Sequence, residues 1–582
     1  MDAVRTLRQG SVARISGPLI EVTGIPDLAM LEVVEIGRHR ISSETISISE
    51  DRATLQAYEY TGGLRVGDPA VATGHQLAGL LGPGLLGHVF DGLLRPLSSR
   101  GMWLTPDTDS STAGAIVPDS GWRFEPAVRV GAMVEPGQIL GTVPEAGAVE
   151  HRVLVPNGVS GVVTWLLDPK EVHPLDAVAR IGERAVSLAE RWPVRRARPF
   201  LDRITEAIPL QTGQRALDLL YPLAKGSAAA VPGGFGTGKT LLLQQIAKWS
   251  DADVIVYVGC GERGNEMADV LDGLSSMADA RTAGRLIDRT VIIANTSNMP
   301  MMAREASIYT GVTVAEYFRD MGYDVVVIAD STSRWAEALR EFGNRNGDLP
   351  AEEGYPANLA SRLAAFYERA GRVSTLGGRA ASVTIIGAIS PAGGDMTEPV
   401  TTDTERFVRT LWPLDRDLAY SRHYPAVSWA GAFARDADPI GAWYAGHDEP
   451  DWATRRAQTI ALLSESDRLA SLAEIVGANS LPGRERMLLL GGRLIRDGVL
   501  MQSALSRNDA SCSAAKGGAL VDLVLKVLDM CQALIRRGVP AEAIEQADFG
   551  AVLRAKDEVG SADAEGVRER VAGVLAQLEA LT

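Results

Sequence analysis

Ser227-Ala228-Ala229-Ala230-Val231-Pro232-Gly233-Gly234-Phe235-Gly236-Thr237-Gly238-Lys239-Thr240 runs from small apolar residues into a glycine-rich loop and stops on a lysine and a threonine. Its last eight residues fit the spacing G-x-x-x-x-G-K-[ST], which wraps a nucleotide's phosphates in backbone amides. Glycines let successive N–H groups point inward with no side chain in the way. Lys239 adds positive charge toward the phosphates, and Thr240 offers a hydroxyl to magnesium. The flanks decide between this reading and a chance glycine turn. Residues 227–231 predict a short buried strand; residues 241–249, with Gln244, Gln245 and Lys248 among apolar positions, predict a helix. Strand, loop and helix N-terminus is the setting in which such a loop holds phosphate. Gly233, Gly234, Phe235, Gly236, Thr237, Gly238, Lys239 and Thr240 are therefore the expected site for ATP or GTP.

At 582 residues the chain is too long for one core, and three or four domains are expected. Apolar residues make up 46% and charged residues 23%, the balance of an ordinary globular protein. The net charge of −15 argues against general binding to nucleic acid, which draws affinity from basic patches on phosphates. Three distant cysteines, Cys260, Cys512 and Cys531, argue against a disulfide framework and fit a reducing cytosol. Residues 1–10 are polar, so no signal peptide is expected. No apolar run approaches the roughly 18 residues of a membrane helix, and any membrane link is expected to run through partner proteins.

Outward from the loop, the chain reads as a multidomain protein. Residues 1–75 alternate apolar and polar positions between Gly-Pro and Gly-Asp punctuation, which predicts an N-terminal β-barrel. With seven Arg, no Lys and ten acidic residues, a net of −3, this barrel suits a structural role better than single-stranded nucleic acid. Residues 76–116 are expected to connect it to the core. Residues 117–190 turn β-rich, dense in Val, Gly and Pro, and resemble the folded sheet of biotin- and lipoate-carrying domains. Residues 143–152, however, hold no lysine to modify. Residues 191–435 read as an α/β core, with strands at 254–258, 291–294, 325–330 and 383–389 and a helix at 303–321. Beyond 436 the pattern is that of a helical bundle, as at 520–537, where Asp522, Lys526 and Asp529 share one face.

Hydrolysing a terminal phosphate needs magnesium, positive charge, and a carboxylate to activate water. Ligands of such sheets lie at the carboxyl ends of strands, where Glu262 and Asp330 fall. Glu262 follows its strand through the tight Gly259-Cys260-Gly261 turn and is expected near the phosphates as the water-activating base. Arg263 is placed to touch phosphate or to lock Glu262, with a surface role still open. Asp330 ends an apolar run and is expected to orient magnesium. The seven histidines show no ligand spacing, so no metal beyond nucleotide-bound magnesium is implied.

Longer motifs carry a resemblance. Gly259-Cys260-Gly261-Glu262-Arg263-Gly264-Asn265-Glu266, Asn295-Thr296-Ser297-Asn298-Met299-Pro300 and Asp330-Ser331-Thr332-Ser333-Arg334-Trp335-Ala336-Glu337 are joined by Glu353-Gly354-Tyr355-Pro356 and Ser390-Pro391-Ala392-Gly393-Gly394-Asp395. Across nearly the whole chain these resemble the catalytic A subunits of V-type and A-type rotary ATPases. The resemblance implies a RecA-like P-loop NTPase core and an insert that Arg191-Trp192-Pro193-Val194-Arg195 closes. It implies phosphate contact by Lys239, Mg2+ on Thr240 and, through water, on Asp330, a catalytic carboxylate at Glu262 and a phosphate-side cation at Arg263. ATP or ADP with Mg2+ would be the ligand. Implied partners are B-type subunits in an alternating ring of three A and three B, a central shaft, peripheral stalk subunits and a membrane sector moving protons or sodium, on the cytoplasmic face of a membrane. No nucleic acid is implied. Two departures stand out. Thr237 occupies the position of a redox-sensitive cysteine in many eukaryotic relatives, so that oxidation switch is expected to be absent. Of two aromatics expected around the base, one is Tyr424 and the other aligns with Leu505, so base contact is expected to be looser. The alternatives are a non-catalytic nucleotide-binding member of the same ring, a hexameric RNA translocase of the Rho kind and a stand-alone ATPase. Lys239 with Glu262 disfavours the first, and the acidic barrel with the insert disfavours the second.

Overall fold

The computed structural model describes residues 8–97, 121–145, 149–282, 284–347, 349–447 and 449–581. The expected connection at 76–116 therefore falls outside the described residues from 98 onward, as do the first four residues of the 117–190 insert. The chain divides into two compact units, Met1–Ile204 with Ala252–Gly387, and Thr205–Asp251 with Ala388–Thr582. The stretch 191–435 contributes to both.

In the first unit, six strands between Gln9 and Gln76 close into a barrel. The alternation read from the sequence becomes an interior of Val12, Ile20, Val22, Val34, Ile36, Ile41 and Leu55, as the two-residue period of a strand requires. After the barrel come two four-stranded antiparallel sheets. Trp122–Pro126, Ile139–Pro144, Glu150–Leu154 and Lys170–Val172 form one; Met133–Val134, Gly161–Leu166, Ala177–Ile181 and Arg184–Ser187 form the other. Two apolar clusters fill this region, one around Leu140 and Val163 and the other around Phe124 and Val143. The parallel strands follow in the order Ala380–Ile389, Asp324–Asp330, Val254–Cys260, Thr290–Asn295 and Val89–Phe90. Val254–Cys260 is buried at every residue, the mark of a strand covered on both faces.

Helix Met301–Asp320 is almost wholly buried and carries Glu305, Glu316 and Asp320. Each carboxylate meets arginine. Arg195 donates to both oxygens of Glu305, at 2.8 and 2.6 Å, and to Glu44 of the barrel at 3.2 Å. Arg362 adds a third bond to Glu305 at 3.2 Å. Arg369 grips Glu316, and Arg198 reaches Asp320 at 2.6 Å and Glu190 at 2.5 Å. Arg195 and Arg198 thus tie the stretch after the two antiparallel sheets to the barrel and to helix Met301–Asp320 by buried, charge-assisted bonds. Burial alone would raise the Glu305 pKa, but Arg195 and Arg362 hold it below the usual carboxylate value. Burial wins at Glu44, which receives weaker bonds from Arg195 and is raised.

In the second unit, Ala228–Pro232 pairs in parallel with Thr410–Leu411, which pairs antiparallel with Phe433–Ala434. Beyond Ala437 the described residues are mainly helical, as far as Glu579. Ala514–Arg536 buries Leu520, Val524, Val527 and Leu534 and packs on Ala564–Glu579. Among the described residues no helix is long and apolar enough to cross a membrane.

Replacing Arg195 by Met leaves buried Glu44 without its cation and Glu305 with Arg362 alone. Arg195→Met should destabilise the protein against urea by about 3–5 kcal/mol at neutral pH. Because the folded pKa of Glu305 is depressed, its contribution is present above the ordinary carboxylate range and lost as pH falls through the folded value. The raised Glu44 works in the opposite sense. Unfolding at pH 7 and pH 4 should show the variant's deficit shrinking in acid; a deficit that did not shrink would assign it to lost packing.

Candidate functional site

The loop in the second unit follows the buried strand Ala228–Pro232 and feeds helix Lys239–Trp249. Its N-cap, Gly238, is left-handed at φ 82° and offers no side-chain cap, so the first helical N–H groups have no partner from that residue. Gly236 is left-handed as well, at φ 80°. Thr237 is buried, and its hydroxyl donates to Gly234 O at 2.8 Å, which tightens the turn. Phe235 and Thr240 stand exposed. Lys239 donates to Ile389 O at 3.1 Å and to the Ser390 hydroxyl. Those acceptors hold the ammonium over the loop, because Gly233 N also donates to Ile389 O at 3.1 Å.

Tyr424 lies against the end of this loop: a Cβ built on Gly238 would stand 2.9 Å from its ring. The carbonyl of Tyr424 accepts from Gln502 N at 2.7 Å, which joins it to the segment bearing Leu505. That segment is shaped from below by buried Arg215, whose guanidinium donates to Val499 O at 2.6 Å, Asp509 at 2.5 Å and Met501 O at 3.0 Å. Ser503 N donates to Asp509 at 2.7 Å. Leu505 itself is 99% exposed. The structure therefore brings Tyr424 to the loop and links it to the 499–509 segment, while the Leu505 side chain stands in solvent.

In the first unit, strand Val254–Cys260 ends in Gly261, left-handed at φ 73°, and delivers Glu262 and Arg263 to the start of helix Gly264–Ser276. Gly261 N donates to Asn295 O at 2.7 Å, and Ser297 N to Glu262 O at 2.9 Å. Gly259 lies in register with Asp330 on the neighbouring strand, so Glu262 and Asp330 belong to adjacent strand ends, as expected of a ligand-facing edge. Asp330 is 4% exposed and accepts from the Tyr257 hydroxyl at 3.0 Å. Burial, then the negative charges of Asp330 and Glu262, push the Tyr257 pKa well above its usual value, so the phenol keeps the proton it donates. Arg263 is exposed. Arg334 and Arg304 crowd Gly261: a Cβ there would lie 2.8 Å from Arg334 Cβ and 3.0 Å from Arg304 Cδ. Burial pulls the Arg334 pKa down, but the bond to Glu337 and the charges of Glu337, Glu262 and Glu266 raise it overall. Cys260 is a buried thiol, pushed up to about 12 by desolvation.

Nothing local in the sequence singles out Ser390, Tyr257 or Arg304. Ser390 opens the run Ser390 to Asp395, but a serine beside Pro391 gives no sign of the lysine it meets. Tyr257 reads as one more strand residue. Among the described residues no three His, Cys, Asp or Glu gather to hold a metal unaided.

Four family models match successive parts of the chain. They are the beta-barrel domain of the ATP synthase alpha/beta family over 12–74, the ATP synthase alpha/beta subunit barrel-sandwich domain over 114–195, the nucleotide-binding domain of the same family over 213–433, and the C-terminal domain of V and A type ATP synthase over 441–543. The V-type ATP synthase alpha chain of Anaeromyxobacter sp. (strain K) is 47% identical over 98% of this chain and 100% of its own length. That of Nitrosococcus oceani is 47% identical over 92% of each chain. The A-type ATP synthase A subunit of Thermofilum pendens is 44% identical over 98% of this chain and 96% of its own. Among solved structures, the assembled ATPase EscN of the enteropathogenic E. coli type III secretion system aligns with a TM-score of 0.64 at 22% identity, covering 89% of this chain and 100% of that one. That likeness concerns the fold alone.

The loop geometry makes a graded prediction. A side chain at a left-handed position costs about 1–2 kcal/mol. Gly236→Ala meets nothing within 4 Å, whereas Gly238→Ala also runs into Tyr424. Titrated with ATP, Gly236→Ala should bind about tenfold more weakly and Gly238→Ala more weakly still; the reverse order would remove Tyr424 from the loop's surroundings.

Proposed function

Since the chain belongs to the family of V-type ATP synthase alpha chains and A-type ATP synthase A subunits, we infer that it is the ATP-hydrolysing and ATP-synthesising subunit of a rotary ATPase. It works within a multisubunit complex. The observation that carries the reading is the loop from Gly233 to Thr240, with two left-handed glycines and Lys239 at the start of an uncapped helix. Such a helix start favours anions through its unpartnered N–H groups and its dipole.

On this reading the loop amides and Lys239 hold the phosphates, and Tyr424 lies at the base, with Leu505 supplying apolar cover. Glu262 takes a proton from the attacking water, a role for which a carboxylate on a fixed turn is suited. Arg263, exposed beside it, supplies positive charge to the transferring group. The Thr240 hydroxyl and, through water, the Asp330 carboxylate would hold Mg2+, which accepts hard oxygen donors and keeps several waters. Bound there, the metal would neutralise phosphate charge. The expected partners are B-type subunits in an alternating ring of three and three, a central shaft, peripheral stalks and a membrane sector that moves protons or sodium. The place of the complex would be the cytoplasmic face of a membrane. Relatives matched along nearly the whole chain carry the V-type and A-type names, which disfavours a Rho-like RNA translocase.

Two variants separate the roles. Glu262→Gln should keep ATP affinity in the assembled complex but lose about 10²–10⁴-fold in turnover. Lys239→Ala should lose affinity as well as turnover, because a ground-state phosphate contact is gone. Full turnover in Glu262→Gln would refute the base assignment, and unchanged affinity in Lys239→Ala would refute the phosphate assignment.

A further inference from the structure

The turn that carries Glu262 is closed by a side chain from another element. Arg304 belongs to the first turn of helix Met301–Asp320, and its stem crosses Gly261: a Cβ built there would lie 3.0 Å from Arg304 Cδ and 3.1 Å from Nε. Its Nη2 donates to Ser297 O at 2.9 Å, and Ser297 N donates to Glu262 O at 2.9 Å. One guanidinium thus links the loop after strand Thr290–Asn295 to the loop after strand Val254–Cys260. Arg304 is held at its own backbone as well. Its carbonyl accepts from the Ser307 hydroxyl at 2.7 Å and from Cys260 Sγ at 3.5 Å, and the next residue, Glu305, is the one gripped by Arg195.

The charge of this arginine is not spent on an ion pair. Arg334 is committed to Glu337 at 3.0 Å, but among the described residues Arg304 has no carboxylate partner, and its Nε–H is buried without an acceptor. An unmet buried donor costs free energy and calls for an explanation beyond packing. Lysine could not span Gly261 and reach Ser297 O with the same planar fork. Since Gly261 has no side chain, nothing keeps the arginine stem from lying directly on the turn.

We propose that Arg304 is a positioning residue for Glu262, clamping the 295–298 loop onto the Gly261–Glu262 turn so that the carboxylate stays where water must be activated. The inference rests on Glu262 being the water-activating base. On this proposal Arg304 acts through the turn and not on a reacting atom. Its effect therefore belongs in the chemical step and not in nucleotide affinity, since misplacement of a catalytic group by about 1 Å can cost about 10²-fold in rate.

The test measures kcat, KM and ATP affinity of the assembled complex carrying Arg304→Met, Arg304→Lys, Glu262→Gln, or Arg304→Met with Glu262→Gln. Arg304→Met should lose about 10–100-fold in kcat while KM and ATP affinity stay close to wild type, and Arg304→Lys should fall between the two. Added to Glu262→Gln, Arg304→Met should cause no further loss, because groups that act as a unit are not additive. An unchanged kcat in Arg304→Met, a loss confined to KM, or full additivity with Glu262→Gln would overturn the proposal. Should Arg304→Met fail to assemble, Arg304→Lys decides by the same split, and wild-type kcat in it overturns the proposal too. An inactive Glu262→Gln beside a fully active Arg304→Met would sink this inference alone, whereas an active Glu262→Gln would sink the reading beneath it.

Discussion

Three carboxylates on one buried helix constrain the whole first unit. Glu305, Glu316 and Asp320 lie on Met301–Asp320 with 9% exposure or less, and an unpaired charge at such positions is not tolerated. The cations come from far along the chain: Arg195 and Arg198 from the exit of the insert, Arg362 and Arg369 from beyond the sheet's central strands. Whatever path the insert takes, its last residues must return to this helix. Glu44 extends the same network into the barrel. Arg195 and Arg198 also lie over the rings of Tyr309 and Trp192, at 5.2 and 4.6 Å, which adds packing to pairing.

Glu305 is fixed by Arg195, and its neighbour Arg304 meets the turn that carries Glu262. A rigid scaffold fixes the position of a loop residue. Here the rigidity is electrostatic at Glu305 and steric at Arg304, on consecutive residues of the helix.

The second unit turns the loop from Gly233 to Thr240 by local means and holds its lysine from a distant segment. Gly236 and Gly238 supply left-handed conformations, Thr237 closes the turn on Gly234, and Ile389 and Ser390 receive Lys239. The surroundings of Tyr424 are non-local. Arg215 and Asp509, with side chains 1% and 0% exposed, meet across 294 residues and shape the segment on which Leu505 stands. The turn of the loop thus depends on a few adjacent residues, whereas the surroundings of Tyr424 depend on the packing of the 499–509 segment.

Much was legible in the residues themselves. A strand that alternates every two residues must put one set inside, so the barrel followed from residues 1–75; an apolar strand followed by a tight Gly turn marked Glu262, and an apolar run ending in a carboxylate marked Asp330. The loop from Gly233 to Thr240 was legible because its geometry rests on glycine's own freedom. What the sequence could not supply were partners distant along the chain: Lys239 with Ser390, Tyr257 with Asp330, Arg195 with both Glu44 and Glu305, and Arg304 across Gly261. An arginine in a helix reads as surface until the fold buries it, because local pattern records burial and backbone freedom while the pairing of charges is decided by which elements the tertiary structure packs together.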